Sequence, residues 1–442
     1  MLNPIIFAVP VFLAMMAIEF AVDRRRQLGV YRAADTVGSL SLGIISQLVG
    51  VFTKLAALGI YTLVYQHAAL WQLPVEAPWV WIGALLGYDF CYYWLHRMGH
   101  QANLLWAAHG VHHSSEEYNL STALRQTATG HLFGWIFYLP LAVLGVPPLV
   151  FVVVGLVDLL YQFWVHTRLV GKLGWFDRVF CSPSNHRVHH GQNDYCIDRN
   201  YGGLLIVWDR LFGTFAPERD DEPIVYGIRG ALRSFNPVWA NAYGYAAMWR
   251  DIRLTRTLAD KLRVLFMHPG WRPADAAAAL PLPAFEINRF ERFAPPLPPA
   301  LALDALLQLA VLIALALHFL AVAPQLGAAM AAAYAAALIV QLAGLSRLTE
   351  RGLDAAGWEA ARWVLGGVLL LLSPVHGWGW SALWLAAGAA AVWAVHTARK
   401  NRSVEVGAAG QVGAPAGGQR LAGGGVQAAH QDVSASQSPP GW

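Results

Sequence analysis

The sequence has few charged residues and few cysteines. Only 13% of its 442 residues are Asp, Glu, Lys or Arg, about half the share in a typical soluble domain. Its three cysteines form no CxxC pair, which argues against a disulfide framework and a cysteine-based zinc ribbon. With 56% hydrophobic residues and a mean hydropathy of +0.41, the low charge also excludes a disordered chain, a basic nucleic-acid-binding protein and an ordinary soluble enzyme. The composition predicts an integral membrane protein.

Long apolar runs predict an all-α, polytopic bundle of about nine membrane spans, because a spanning helix needs about 20 apolar residues. The runs occupy residues 4–22, 37–65, 79–95, 132–146, 148–165, 305–323, 326–346, 355–372 and 378–398. The runs at 132–146 and 148–165 are separated by two prolines, which predicts a helical hairpin.

Basic residues in the short connections indicate the orientation of the bundle. Connections 66–76, 323–326 and 373–377 contain no Lys or Arg. The opposite connections contain Arg24, Arg25, Arg26, Arg32, Arg97, Arg347, Arg351, Arg399, Lys400 and Arg402. By the positive-inside rule, the second set lies in the cytoplasm. The arginines follow the first run rather than precede it, so we expect a membrane span there and not a cleaved signal peptide.

The chain is predicted to have five segments. Residues 1–78 form N-terminal membrane helices, 79–220 a catalytic core, 221–300 a polar cytoplasmic segment and 301–402 C-terminal membrane helices. Residues 403–442 are dominated by Gly, Ala, Ser, Gln and Pro, which predicts a disordered tail.

Histidine is the residue in excess. Ten of the 16 histidines lie between His96 and His190. Eight of the ten form three boxes, HRMGH (His96, His100), HGVHH (His109, His112, His113) and HRVHH (His186, His189, His190). Because helix residues three and four apart share a face, we expect each box to aim its imidazoles at a common centre.

Eight clustered histidines suit two metal ions, because one tetrahedral zinc needs only four ligands. Imidazole favours Zn, Cu, Fe and Ni over Mg or Ca. His166, at the returning end of the hairpin, is a candidate ninth ligand, whereas His131 falls outside any box. The charge rule places every box on the cytoplasmic face of the membrane.

Nearby carboxylates are expected to accept hydrogen bonds from the ligand imidazoles and so to orient them. The candidates are Asp89, Glu116, Glu117, Asp158 and Asp194. Asp89 and Asp158 lie in apolar segments, where an unpaired carboxylate is costly. A solvated role is the alternative for Glu116 and Glu117.

Two short turns follow the third box. Asn200-Tyr201-Gly202-Gly203 and Trp208-Asp209-Arg210 are interpreted as structural elements that dock that box.

The three boxes, at the predicted cytoplasmic end of a helical bundle, resemble those of the fatty acid hydroxylase / sterol desaturase superfamily of membrane di-iron oxygenases. The resemblance covers about residues 79–220. The flanking stretches WAAHGVHHSSEEYNLSTALRQ, YQFWVHT and SPSNHRVHHGQNDYCIDRNYGGLLIVWDRLFGTF resemble the alkylglycerol monooxygenase branch and its bacterial relatives. Gln101 stands where that branch is expected to have Glu, and Asn185, before the third box, is another departure.

The resemblance implies that the eight box histidines, with His166 as the candidate ninth, bind two irons. It also implies an O2-dependent oxidoreductase that hydroxylates a lipid C–H bond. In the resembling branch the ether-linked carbon of an alkylglycerol is hydroxylated, the ether is cleaved and tetrahydrobiopterin is the reductant. Other members take electrons from cytochrome b5-like or ferredoxin-like proteins. No such domain is recognisable here, so we expect a separate electron donor.

Other functions stay open at this point. A sterol or fatty acyl hydroxylase or desaturase of the same superfamily is the main alternative, and a non-catalytic relative and a metal transporter are more remote ones. We expect a bacterial inner-membrane protein with a lipid substrate and no nucleic-acid partner.

Overall fold

The computed structural model describes residues 5–351 and isolated positions between 363 and 397. Within these residues the protein consists of helices and connecting segments, with two isolated β-bridges and no strand. The predicted all-α class is therefore confirmed. The predicted spans at 355–372 and 378–398 fall largely outside the described residues, and the predicted tail at 403–442 falls wholly outside them.

Fifteen α-helices follow one another in the described part of the chain. They are α1 (Ile5–Arg26), α2 (Ala33–Ala68), α3 (Pro78–Gln101), α4 (Asn103–His113), α5 (Leu120–Ala123), α6 (Leu139–Val143), α7 (Pro148–Trp164), α8 (Phe176–Val179), α9 (Pro183–His189), α10 (Val207–Leu211), α11 (Pro237–Leu254), α12 (Leu258–Phe266), α13 (Ala274–Ala279), α14 (Pro299–Val322) and α15 (Ala328–Arg351). Short 3₁₀ helices lie at Gly130–Leu132, Gly134–Tyr138, Asp194–Cys196, Ile287–Arg289 and Ala323–Gln325.

Four of the described helices are long and apolar enough to cross a membrane. They are α1, α2, α14 with the 3₁₀ turn that follows it, and α15. Helices α14 and α15 pack against each other and against α2. Their shared core contains Leu48 of α2, Phe319 of α14 and Leu342 of α15. Helix α11 packs against this bundle, through α2 and α15, and also against α4.

The predicted hairpin differs from the structure in its first arm. Residues 132–146 do not form one helix, because two 3₁₀ segments and the five-residue α6 occupy this part of the chain. Gly134 favours non-helical backbone, and Pro140 has no N–H to continue a helical ladder and is accommodated in the first turn of α6. The second arm is α7, a helix of 17 residues. The predicted count of nine spans is not confirmed within residues 5–351.

The three boxes lie on three different helices. The first box is at the end of α3, the second at the end of α4 and the third on α9. Helix α9 begins at Pro183, after Ser182, whose hydroxyl accepts the Asn185 amide at 3.4 Å; a serine cap followed by proline favours a helix start. Helix α4 packs against α3 on one side and α11 on another.

Candidate metal centre

The fold brings nine histidines into two groups. The first group contains His96, His100, His109, His113 and His189, and the second contains His112, His166, His186 and His190. Within each group, one ring nitrogen of every member lies within 4.8 Å of those of the others. All eight box histidines and His166 are included, and His131 belongs to neither group.

The nitrogens have the spacing that a bound metal requires. In the first group, Nε2 of His109 lies 3.0 Å from Nε2 of His96 and 3.1 Å from Nε2 of His113. In the second group, Nε2 of His166 lies 3.0 Å from Nε2 of His186 and 3.1 Å from Nε2 of His112. Imidazoles bound to one ion at about 2.0–2.1 Å have nitrogens about 3 Å apart. Each group therefore fits one metal ion.

The HxxHH boxes divide between the two groups, which corrects the expectation that each box aims at one centre. His109 and His113 join the first group, whereas His112 joins the second. The third box divides as well, because His189 joins the first group whereas His186 and His190 join the second. Successive residues of an α-helix are about 100° apart around the axis, so adjacent histidines point to different sides. The rings of His113 and His190 stack with centroids 4.2 Å apart, so the groups adjoin.

Four of the rings are oriented by backbone carbonyls. The Nδ1 atoms of His96, His112, His166 and His189 lie 2.8, 2.9, 2.8 and 2.9 Å from the carbonyl oxygens of Tyr201, Arg125, Gln162 and Arg199, respectively. A carbonyl can only accept, so each Nδ1 carries the proton. Each Nε2 then keeps a free lone pair directed into its group.

Burial keeps the nine imidazoles neutral. It lowers the pKa of every one of them, to about 3 for His96 and about 4 for His112. Nε2 of His100 and Nε2 of His189 are buried and have no hydrogen-bond partner among the described residues. Neutral, buried and partly unpartnered nitrogens are what a metal ion needs as ligands.

Asp89, a predicted partner of the imidazoles, contacts the loop that follows the third box. Its carboxylate accepts the Leu204 amide at 2.7 Å, the Leu205 amide at 3.1 Å and the Trp208 indole at 2.8 Å. Asp158 accepts the side-chain amide of Gln162, one helical turn further along α7, at 2.6 Å. The backbone carbonyl of the same Gln162 orients His166. These two carboxylates thus form hydrogen bonds to the loop and the helix whose backbone carbonyls orient the imidazole rings.

The other predicted carboxylates bind elsewhere. Glu116 accepts the Phe293 amide at 2.5 Å, and Glu117 pairs with two arginines. Asp194 pairs with Arg229, and its side chain is 97% exposed. Burial raises the pKa of Glu116, and it raises that of Glu117 to about 7. Among the described residues, none of these three carboxylates hydrogen-bonds to an imidazole of the two groups.

The two departures from the resembling branch have different places in the fold. Gln101 is the last residue of α3, directly after His100. Asn185 is buried, and its side-chain amide donates to the carbonyls of Asp177 and Phe180 at 3.1 and 3.2 Å. Asn185 therefore anchors the start of α9.

Asp209 supports the first histidine box, a link that the sequence did not indicate. Its carboxylate accepts the Tyr201 amide at 2.8 Å, the Gly202 amide at 2.7 Å and the Thr214 hydroxyl at 2.6 Å. It thereby fixes the peptide whose carbonyl orients His96. The turn was expected to dock the third box, and it also docks against the first. Acceptors such as the Tyr201 carbonyl have no side-chain signature that a motif could reveal.

Comparisons with known proteins agree with the geometry. Residues 81–214 match the family model described as Fatty acid hydroxylase. The alkylglycerol monooxygenase of Homo sapiens is 43% identical over 269 residues, which cover 60% of this chain and 59% of the relative. That of Danio rerio is 43% identical over 268 residues, with 60% and 59% covered. The ornithine lipid hydroxylase OlsE of Rhizobium tropici is 31% identical over 176 residues, with 38% and 50% covered.

These findings confirm the resemblance seen in the boxes. The match to the fatty acid hydroxylase model, over residues 81–214, includes all nine clustered histidines. The homologues and the apolar helices identify an integral membrane protein. The matched region covers about 59% of the alkylglycerol monooxygenases described above. No solved structure matches the chain.

Proposed function

We propose that this protein is a membrane monooxygenase that uses O2 and two irons to hydroxylate a lipid C–H bond. The ether-linked carbon of an alkylglycerol is the first candidate position. The observation that carries the proposal is the pair of adjoining histidine groups inside a fatty acid hydroxylase family domain. The 43% identity to alkylglycerol monooxygenases supports the choice of lipid.

In this proposal the first group of five histidines holds one iron and the second group of four holds the other. Bound iron would activate O2, and this would supply an oxidising power that no side chain has. The protein's own residues prepare the ligands. The carbonyls of Tyr201, Arg125, Gln162 and Arg199 keep Nδ1 protonated, and burial keeps the rings neutral and excludes water.

Residues 79–220 would be the catalytic core, held by the membrane helices on either side, with the boxes at the cytoplasmic face of a bacterial inner membrane. The electron donor is separate, with tetrahydrobiopterin as first candidate and a cytochrome b5-like or ferredoxin-like protein as alternative. Helix α11, in the 221–300 segment, packs against α4, the helix that carries the second box.

Metal analysis and product analysis on the purified full chain test this function. We expect about two irons per chain, and O2 consumption that depends on both reductant and a 1-O-alkylglycerol, with a fatty aldehyde as product. The ester-linked monoacylglycerol of equal chain length is the matched control lipid. His113→Ala should lose iron and product, whereas His131→Ala should keep both. Full activity of iron-free protein, or no oxidised product from any lipid, would overturn the proposal.

A second candidate reaction is hydroxylation without cleavage. The 31% identity to an ornithine lipid hydroxylase favours it. In that case mass spectrometry of the lipids would find a product with one added oxygen and no aldehyde. Metal uptake into proteoliposomes, with no oxidised lipid, would instead support a transporter.

A further inference from the structure

A cavity of about 340 Å³ lies beside the second histidine box. Residues at the N-terminal ends of two candidate membrane helices, α2 and α14, line one side of it. Ser114, Glu116 and Glu117, which follow α4 directly, line another side. Because the ends of spanning helices lie at the level of lipid headgroups, the cavity lies where a headgroup would be.

The inner wall of the cavity contains two buried ionisable side chains. Glu117 is 2% exposed and Arg125 is 1% exposed. Glu117 Oε1 forms an ion pair with Arg32 at 2.7 Å and accepts a hydrogen bond from Arg292 at 3.1 Å. Glu117 Oε2 is buried and has no hydrogen-bond partner among the described residues. A buried carboxylate oxygen without a donor is costly, so this wall lacks a hydrogen-bond donor that a ligand could supply.

The mouth of the cavity has the opposite character. Arg32 and Arg292 have side chains 44% and 38% exposed, and Arg233 is exposed as well. These guanidinium groups are donors only. A ligand that fits therefore donates at the inner wall and accepts at the mouth. A simple anion can only accept hydrogen bonds, so it would pair with the mouth but would leave Glu117 Oε2 without a donor at the wall.

One residue connects the cavity to the metal centre. Arg125 lines the cavity, and its backbone carbonyl accepts from Nδ1 of His112 at 2.9 Å. Its Nη2 and Nε also donate to Ser114 at 2.9 and 3.1 Å, which follows His113. A molecule in the cavity therefore lies one residue away from the second histidine group.

We propose that this cavity binds the polar headgroup of the lipid substrate, and that the headgroup is a polyol such as glycerol. A hydroxyl both donates and accepts, so a diol satisfies Glu117 Oε2 and an arginine at the mouth together. The ether-linked carbon is bonded to the headgroup oxygen, so in this proposal it faces the side of the cavity lined by Ser114 and Arg125, next to the second histidine box. This inference rests on the proposed lipid oxidation, because it takes the headgroup to be that of the substrate.

Equilibrium binding without turnover tests it. The purified full chain is titrated under nitrogen and without reductant, by intrinsic tryptophan fluorescence, with a 1-O-alkylglycerol and with the methyl ether of the same alkyl chain. We expect wild-type protein to prefer the alkylglycerol. Glu117→Gln should weaken alkylglycerol binding about tenfold or more, since hydrogen bonds to a charged group are strong, and leave the methyl ether unchanged.

Two further variants keep the test decisive. Arg233→Ala, at the exposed mouth, is expected to weaken alkylglycerol binding about threefold, the effect of a solvent-screened donor, and it carries the test should Glu117→Gln fail to fold. Asp220→Asn, a change in an exposed ion pair with Lys172, is the matched control and should bind as wild type.

Equal loss for both lipids would assign Glu117 a purely structural role and overturn the inference. Wild-type protein without a preference, or Glu117→Gln with the wild-type preference, would overturn it too. Failure of the proposed function is seen separately, as absence of oxidised product while the binding preference persists.

Discussion

Replacement of Asp209 by asparagine separates metal-centre support from general folding. The carboxylate of Asp209 is fully buried and accepts the amides of Tyr201 and Gly202 at 2.8 and 2.7 Å. The asparagine side chain would keep the shape but turn one acceptor oxygen into a donor that faces a backbone N–H. The Tyr201 peptide would then tilt, and its carbonyl would leave Nδ1 of His96, at present 2.8 Å away.

The magnitude follows from the lost acceptor. A hydrogen bond to a charged group contributes about 1.5–3 kcal/mol, so we expect the folded state to lose about 2 kcal/mol. Groups that orient a ligand histidine typically contribute 10–100-fold in metal affinity. We therefore expect Asp209→Asn to weaken metal binding in the first group about 10–100-fold.

Asp251→Asn is the matched control. Asp251 is also a buried carboxylate, and it accepts from the Arg272 guanidinium at 2.8 and 2.9 Å. Its loss should lower stability by a similar amount, but it contacts none of the carbonyls that orient the histidines. The assay is a chelator competition on each purified variant, followed by metal analysis, with thermal unfolding measured in parallel. Metal affinity equal to wild type in folded Asp209→Asn would refute the reasoning, and so would an equal loss in Asp251→Asn.

Three further outcomes are expected. Gly202→Ala should lower the free energy of unfolding by about 1–3 kcal/mol, because the added Cβ would lie 2.4 Å from the Leu205 carbonyl oxygen. In the control Gly83→Ala the added Cβ has nothing within 4 Å, so this change should be neutral or slightly stabilising. A Gly202→Ala protein as stable as wild type would contradict the packing of this turn. Removal of the metal with a chelator should lower the midpoint temperature of unfolding, and adding the metal back should restore it, since a ligand at about 1,000 times its Kd stabilises the folded state by about 4 kcal/mol. An unchanged midpoint would argue against bound metal. The hydrogen bond to Asp198 raises the pKa of His268, so the stabilisation from this pair is present below pH about 6.5 and is lost as the pH rises through the folded pKa. The difference in free energy of unfolding between wild type and His268→Gln should therefore be larger at pH 6 than at pH 8.5, by less than about 1 kcal/mol for so exposed a pair. An equal difference at both pH values would exclude this contribution.

The histidine boxes and the helical class could be predicted from local patterns. Spacings of three and four residues are properties of a single helix, so His96 and His100 or His109 and His113 are recognisable as neighbours in the sequence alone. Both pairs lie in the same group of the structure. The long apolar runs of α1, α2, α14 and α15 were likewise predictable, because hydropathy is a local sum.

The first arm of the predicted hairpin could not be judged by hydropathy. Residues 132–146 are apolar enough for a span, but Gly134 and Pro140 lie where the helix is interrupted. Hydropathy measures the preference for an apolar environment, whereas helix continuity depends on backbone geometry. The two therefore diverge in this segment.

What the sequence by itself determined is which residues bear the chemistry: low charge and long apolar runs for the membrane, and clustered histidines for the metal. Only the tertiary structure decided how they are shared. It divided the histidines into five and four, brought His166 of the loop after α7 into the second group, and joined Asp209 to His96 through the Tyr201 carbonyl. The physical reason is that side-chain identity and helical period are local, whereas the meeting of α3, α4 and α9 depends on long-range packing. Backbone carbonyls, which orient four of the rings, are present in every residue and acquire a role only through that packing.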